Sequence, residues 1–155
     1  MMKFGKFAAG LAAAMCLTNT PAIAIESDAD AQKVRQLNYM LMTSSLRCRF
    51  GEDDFQRDYV AFTSTHVRTI DAAGQRLKSG LVARYGARGG TRAFDRMNTS
   101  MANTYGSGHP WMECNELKQV TRDLAADRSE ANLLQAADWL LSSDPGQSPY
   151  RVARR

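Results

Sequence analysis

The sequence predicts an all-α fold, a single domain of about five helices with one long central helix, closed by one disulfide. Three observations predict it. Apolar residues recur at spacings of three and four through most of residues 34–141, the period of one face of an α-helix. No stretch alternates apolar and polar residues over more than four positions, as a half-buried strand would. Two cysteines, Cys48 and Cys114, remain once the first 24 residues are set aside as an export signal.

That signal has three parts. Lys3 and Lys6 give a positive start, Phe7 to Leu17 is an apolar run of eleven residues, and Ala22-Ile23-Ala24 offers small residues at a cleavage site. The run is shorter than the ~20 apolar residues that span a bilayer. Cleavage after Ala24 predicts a periplasmic or secreted protein with no permanent membrane anchor. The domain then covers 25–144, and 145–155 reads as a disordered basic tail ending in Arg151, Arg154 and Arg155.

Cys16 departs with the signal. Cys48 and Cys114 are left as an even pair in an oxidising compartment, which predicts their disulfide. The closed loop spans 67 residues, for which chain entropy gives about 4 kcal/mol of stabilisation. After cleavage, 18 cations face 16 acids. A balance this mild does not predict a nucleic-acid partner. Fifteen of the 18 cations are arginine, a bias with no chemical reading at this level.

The helices follow in order. Asp28 or Asp30 can cap the first. Val34, Leu37, Leu41, Ser45 and Cys48 share its inner face, and Gly51 ends it. Asp53 with Gln56 resembles a capping box. Phe55, Tyr59, Phe62, His66, Ile70, Ala73, Leu77, Leu81 and Tyr85 then mark one long helix over about 53–85. Gly74 and Gly80 inside it point to a bend or a close helix crossing, and two helices broken near Ala73-Gly74 are the alternative. Residues 87–90 read as a flexible turn, with Thr91 capping a third helix faced by Phe94, Met97, Met101 and Tyr105. Gly106-Ser107-Gly108 stops that helix. Pro110 suits the first turn of a fourth, with Trp111, Cys114, Leu117, Val120 and Leu124 inward. Ser129 opens a fifth, striped by Leu133, Leu134, Ala137, Leu140 and Leu141.

The chemistry available is narrow. His66 and His109 are the two histidines of the chain. His66, on the aromatic face of the long helix, is a candidate base or pH sensor, or else a core histidine bonded to a carbonyl or a tyrosine. His109 lies in Tyr105-Gly106-Ser107-Gly108-His109-Pro110-Trp111, the most individual segment of the chain. With Glu113 it would form an acid–base pair; alternatively it is a capping loop with Trp111 over the disulfide. Tyr105, His109 and Trp111 are candidate binding residues. The histidines and cysteines have no metal-ligand spacing, so no metal is predicted. No P-loop, dinucleotide fingerprint or nucleophile elbow is present, so no cofactor is predicted. The one carboxylate cluster, Glu52-Asp53-Asp54, fits a helix start, with Arg47 and Arg49 balancing it.

The segments Tyr39-Met40-Leu41-Met42-Thr43-Ser44-Ser45-Leu46-Arg47-Cys48-Arg49 and Tyr105-Gly106-Ser107-Gly108-His109-Pro110-Trp111-Met112-Glu113-Cys114 resemble a group of short exported bacterial proteins of unknown function. Some of that group are labelled S-adenosyl-L-homocysteine hydrolase. That hydrolase family binds NAD in a dinucleotide-binding domain and has far longer chains, and none of its motif residues can be placed here. The expected function is therefore partner binding, as an envelope factor, small chaperone or inhibitor. A small hydrolase acting on an envelope substrate through the His109 loop is the alternative.

Overall fold

The structure, a computed structural model, describes residues 25–142. The predicted signal, the tail, and Ser143 and Asp144 of the predicted domain lie outside the described residues. Within them the fold is all-α: α1 (Asp28–Arg47), α2 (Gln56–Thr65), α3 (Val67–Thr104), α4 (Cys114–Ala126) and α5 (Glu130–Leu140). Cys48 and Cys114 form the disulfide, with Cα atoms 5.8 Å apart. None of the described helices is long and apolar enough to cross a membrane.

Helix α1 is the axis of the core. Val34, Leu37, Leu41, Ser45 and Cys48 are all buried, as their spacing predicts. Its N-cap is Ser27, whose hydroxyl accepts the Asp30 N–H at 3.0 Å. The carboxylates of Asp28 and Asp30 occupy the first turn instead, where they complement the helix dipole.

The long helix expected over 53–85 is divided, and the division is not near Ala73-Gly74. It falls at His66, which ends α2 and precedes α3. The apolar stripe runs through this break, with Phe55, Phe62, His66, Ile70, Ala73 and Leu77 buried on one continuous side. The start is also corrected. The Asp54 carboxylate, not Asp53, accepts the Gln56 N–H at 3.0 Å.

The second correction concerns residues 87–90, which are helical rather than a turn. Thr91 lies inside the helix and donates back to the Ala87 carbonyl at 2.9 Å. Only Gly86 leaves helical geometry, at φ 70°, ψ 170°, a region open essentially to glycine alone. The chain reverses there, so α3 is a hairpin of two arms, 67–85 and 87–104. The arms meet closely at Gly90, where a Cβ would lie 2.5 Å from the Val82 Cα.

Arg35 of α1 fits between the arms. It lies against Gly74 of the first arm. On the second it reaches the Asn98 side-chain oxygen at 3.2 Å and sits 5.7 Å from the Phe94 ring centroid. Gly74 faces this side chain at ordinary contact distance, and the close backbone crossing lies at Gly90 instead. The end of the hairpin extends past the start of α1, since Gly80 lies beside Asp28 in the first turn of that helix. Tyr85, inward by period, is 55% exposed for that reason.

The glycines separate by role, which makes them testable. Gly86→Ala and Gly90→Ala are each expected to destabilise by about 1–3 kcal/mol, through a forbidden φ and through backbone overlap respectively. Gly80→Ala, in open helix with its nearest contact at 3.8 Å, is expected to stabilise by up to about 1 kcal/mol. Urea midpoints at unchanged slope measure all three.

Candidate functional site

The loop between α3 and α4 is the best-furnished site of the described residues. Thr104 ends the helical hairpin, and Tyr105 and Gly108 turn the chain, with the Gly108 N–H donating to the Tyr105 carbonyl at 2.9 Å. Gly108 has φ 103° and packs on the Arg47 guanidinium, a Cβ there falling 3.1 Å from Nε. Arg47 thus turns to the loop, while Arg49 stacks over Phe50 at 4.5 Å. Neither forms an ion pair with the Glu52-Asp53-Asp54 cluster.

His109 is the centre of the loop, and both its ring nitrogens are committed. Nε2 lies 2.8 Å from the Leu140 carbonyl at the end of α5. A carbonyl only accepts, so Nε2 carries the proton. Nδ1 then accepts, receiving the Met112 N–H at 3.2 Å and the Trp111 N–H at 3.4 Å. These N–H groups lead into α4, which begins at Cys114 rather than at Pro110. The ring stacks 6.4 Å from Tyr105 and meets the edge of Trp111 at 4.6 Å. Trp111 packs in turn against the buried Trp139 at 5.2 Å, and its indole N–H donates to the Ser142 carbonyl at 3.3 Å. Trp139 was missed by the periodicity, because its spacing from Leu133 places it off the predicted stripe.

Glu113 lines, with His109, a small hollow over the disulfide, and His66 stands elsewhere. Glu113 is exposed, and no ion pair or hydrogen bond joins its carboxylate to His109. Its own N–H is accepted by the Glu116 carboxylate at 3.0 Å. His66 is buried at the other end of α4, with Nε2 2.9 Å from the Leu124 carbonyl. Thr65 beside it donates to the Ala125 carbonyl at 2.9 Å. The break between α2 and α3 thus supplies donors to the unpaired carbonyls of α4's last turn. Cys114 and Leu124 are separated by about 15 Å of helix, so His66, His109 and Glu113 do not share one site. Among the described residues no group of three metal-ligating side chains occurs.

Two hollows flank His109. The smaller, about 140 Å³, lies over the disulfide between Arg47, Gly108 and Glu113. The larger, about 600 Å³, is bounded by Gln36, Tyr105, His109, Pro110 and Leu141. Tyr105 and His109 line it, and Trp111 does not. With its lone pair and its proton both bonded to backbone, the imidazole offers the larger hollow a ring face and no free nitrogen. That arrangement suits contact and not proton transfer.

Burial lowers the His109 pKa below the usual histidine value, against the opposing pull of the Leu140 carbonyl and Glu116. The unfolded chain titrates near 6.5. Below that pH the unfolded state takes up protons before the folded state does. The contribution of His109 is therefore complete above about pH 6.5 and is lost as pH falls through its folded pKa. His109→Ala is expected to cost about 1–3 kcal/mol at neutral pH, by stranding the groups it bonds. His109→Gln, which can donate and accept without titrating, is expected to flatten the fall in stability between neutral and mildly acidic pH. Denaturant titration of the three proteins across that range measures both effects. No family model, curated protein or solved structure matches this chain, so the functional reading rests on the residues themselves.

Proposed function

We propose that this chain is an exported periplasmic or secreted protein that binds a partner in the envelope, as an envelope factor, small chaperone or inhibitor. Partner binding is favoured over catalysis by one observation above the rest: both nitrogens of His109 are bonded to backbone. The export part of the proposal rests on the charged, apolar and small-residue parts of residues 1–24. A disulfide and the lack of a membrane-crossing helix among the described residues are compatible with it. Kinship with the short exported bacterial proteins is part of the same proposal.

The contact surface on this reading is the larger hollow. Its aromatic faces, Tyr105 and His109, sit beside Pro110, Leu141 and the Gln36 amide, which donates to the Tyr105 hydroxyl at 3.3 Å. A mostly apolar recess with a few placed polar groups suits a side chain or short segment of a partner.

A photo-crosslinking residue at position 110, in the exported and oxidised protein, is expected to give a discrete adduct that Leu141→Asp removes. The same residue at position 119, on the exposed side of α4, is expected to give none. No adduct from position 110, together with ester or amide turnover abolished by His109→Gln and Glu113→Gln, would contradict the proposal and favour the hydrolase.

A further inference from the structure

The charge of this molecule is unevenly placed. Residues 78–96 hold five cations, Lys78, Arg84, Arg88, Arg92 and Arg96, against the single acid Asp95. The rest of 25–142 holds ten cations against fourteen acids. The balance of residues 25–142 therefore conceals a basic end on an acidic body, and the end is the far part of the α3 hairpin. From Gly80, level with the start of α1, the first arm continues about 9 Å to Gly86.

All five cations are exposed, and none forms an ion pair among the described residues. The cations that are paired, Lys33, Arg76 and Arg122, lie elsewhere and meet Asp138, Asp28 and Asp58. Arg88, Arg92 and Arg96 recur every fourth residue on one side of the second arm, where like charges repel and cost helix stability. Asp95 is the one acid on that arm near them, and among the described residues no ion pair offsets the repulsion. An external anion would offset it. Four of the five are arginine, whose planar fork matches a phosphate oxygen pair. At the turn itself stands Tyr85, exposed beside Arg84, with the guanidinium 6.0 Å from its ring. Tyrosine with flanking arginines is the composition favoured at a headgroup layer, where the ring sits at the interface and the charges reach phosphates.

We propose that the hairpin end, residues 78–96, is a docking surface for membranes carrying anionic phospholipid headgroups. The contact is peripheral, with Tyr85 at the headgroup level and the arginines on phosphates. This goes beyond the partner-binding reading of the His109 hollow and does not depend on it.

The test is co-sedimentation of the oxidised protein with vesicles of phosphatidylglycerol in phosphatidylcholine, against phosphatidylcholine alone. Binding is expected to the mixed vesicles only, and to be lost as salt rises from about 0.01 M to about 1 M, where the screening length falls from about 30 Å to about 3 Å. Each cation at such a surface contributes about 1 kcal/mol, or about fivefold. Arg88→Gln with Arg92→Gln is therefore expected to weaken binding by roughly 25-fold. Glutamine keeps helix propensity, and circular dichroism checks the fold. Arg57→Gln with Arg128→Gln changes net charge equally but lies outside the hairpin, and is expected to change binding less than about twofold. Tyr85→Ser is expected to weaken binding, and Phe50→Ser is not, although Phe50 is the more exposed ring at 83%. Equal loss from the two double variants would overturn the proposal. So would no binding to mixed vesicles at low salt, tighter binding to duplex DNA than to vesicles, or displacement by millimolar inorganic phosphate.

Discussion

The backbone groups at the two ends of α4 need partners, and the rest of the structure is arranged to supply them. A helix leaves N–H groups unpaired at its start and carbonyls unpaired at its end. Here the Glu113/Glu116 capping box serves the start and His66 the end, while His109 holds the loop that leads into the start. His109 collects N–H groups on the way into α4 and ties them to the Leu140 carbonyl of α5. His66 reaches the Leu124 carbonyl in the last turn, with Thr65 on the next residue. Cys114, the first residue of α4, is bonded to the residue that caps α1. These bonds tie α4, a helix of thirteen residues, to α1, to the break between α2 and α3 and to the end of α5, while α3 and α5 pack chiefly on α1. Residues that resemble a catalytic set in sequence are consumed in that task.

The hairpin solves a different problem. Its arms carry few large apolar residues near the turn, so hydrophobic burial cannot hold that end together. Close backbone approach at Gly90 holds the arms there, and Arg35 joins them farther from the turn, between Phe94, Asn98 and Gly74. The turn is then free to present charge rather than apolar surface. An acidic bulk with a basic hairpin end results, and the two proposed contacts lie at different places on it.

The sequence made the faces of the helices legible but not their limits. The stripes of α1 and of Phe55 to Leu77 are buried as their spacing indicates, because period reports which side of a helix is apolar. Period does not report whether a neighbour exists. Leu81 and Tyr85 continue the stripe past the start of α1, where Leu81 is half-buried and Tyr85 exposed. The break at His66 was hidden because the apolar pattern runs through it; its cause is a pair of carbonyls about 60 residues away on α4. Residues 87–90 looked like a turn because glycine serves both turns and close crossings, and only Gly86 is used for turning. At the candidate site the sequence singled out the loop and the disulfide. It could not show that Leu140 and Arg47 complete the loop, since both arrive from other helices.

The protonation of His109 tests the central claim most directly. Long-range nitrogen–proton correlation in the folded, oxidised protein at neutral pH distinguishes the states of each ring. His109 is expected to be neutral, with its proton on Nε2 and an unprotonated, hydrogen-bonded Nδ1, and His66 to carry a proton on Nε2. A His109 ring protonated on Nδ1, or averaging between tautomers as an imidazole in open solvent does, would contradict it.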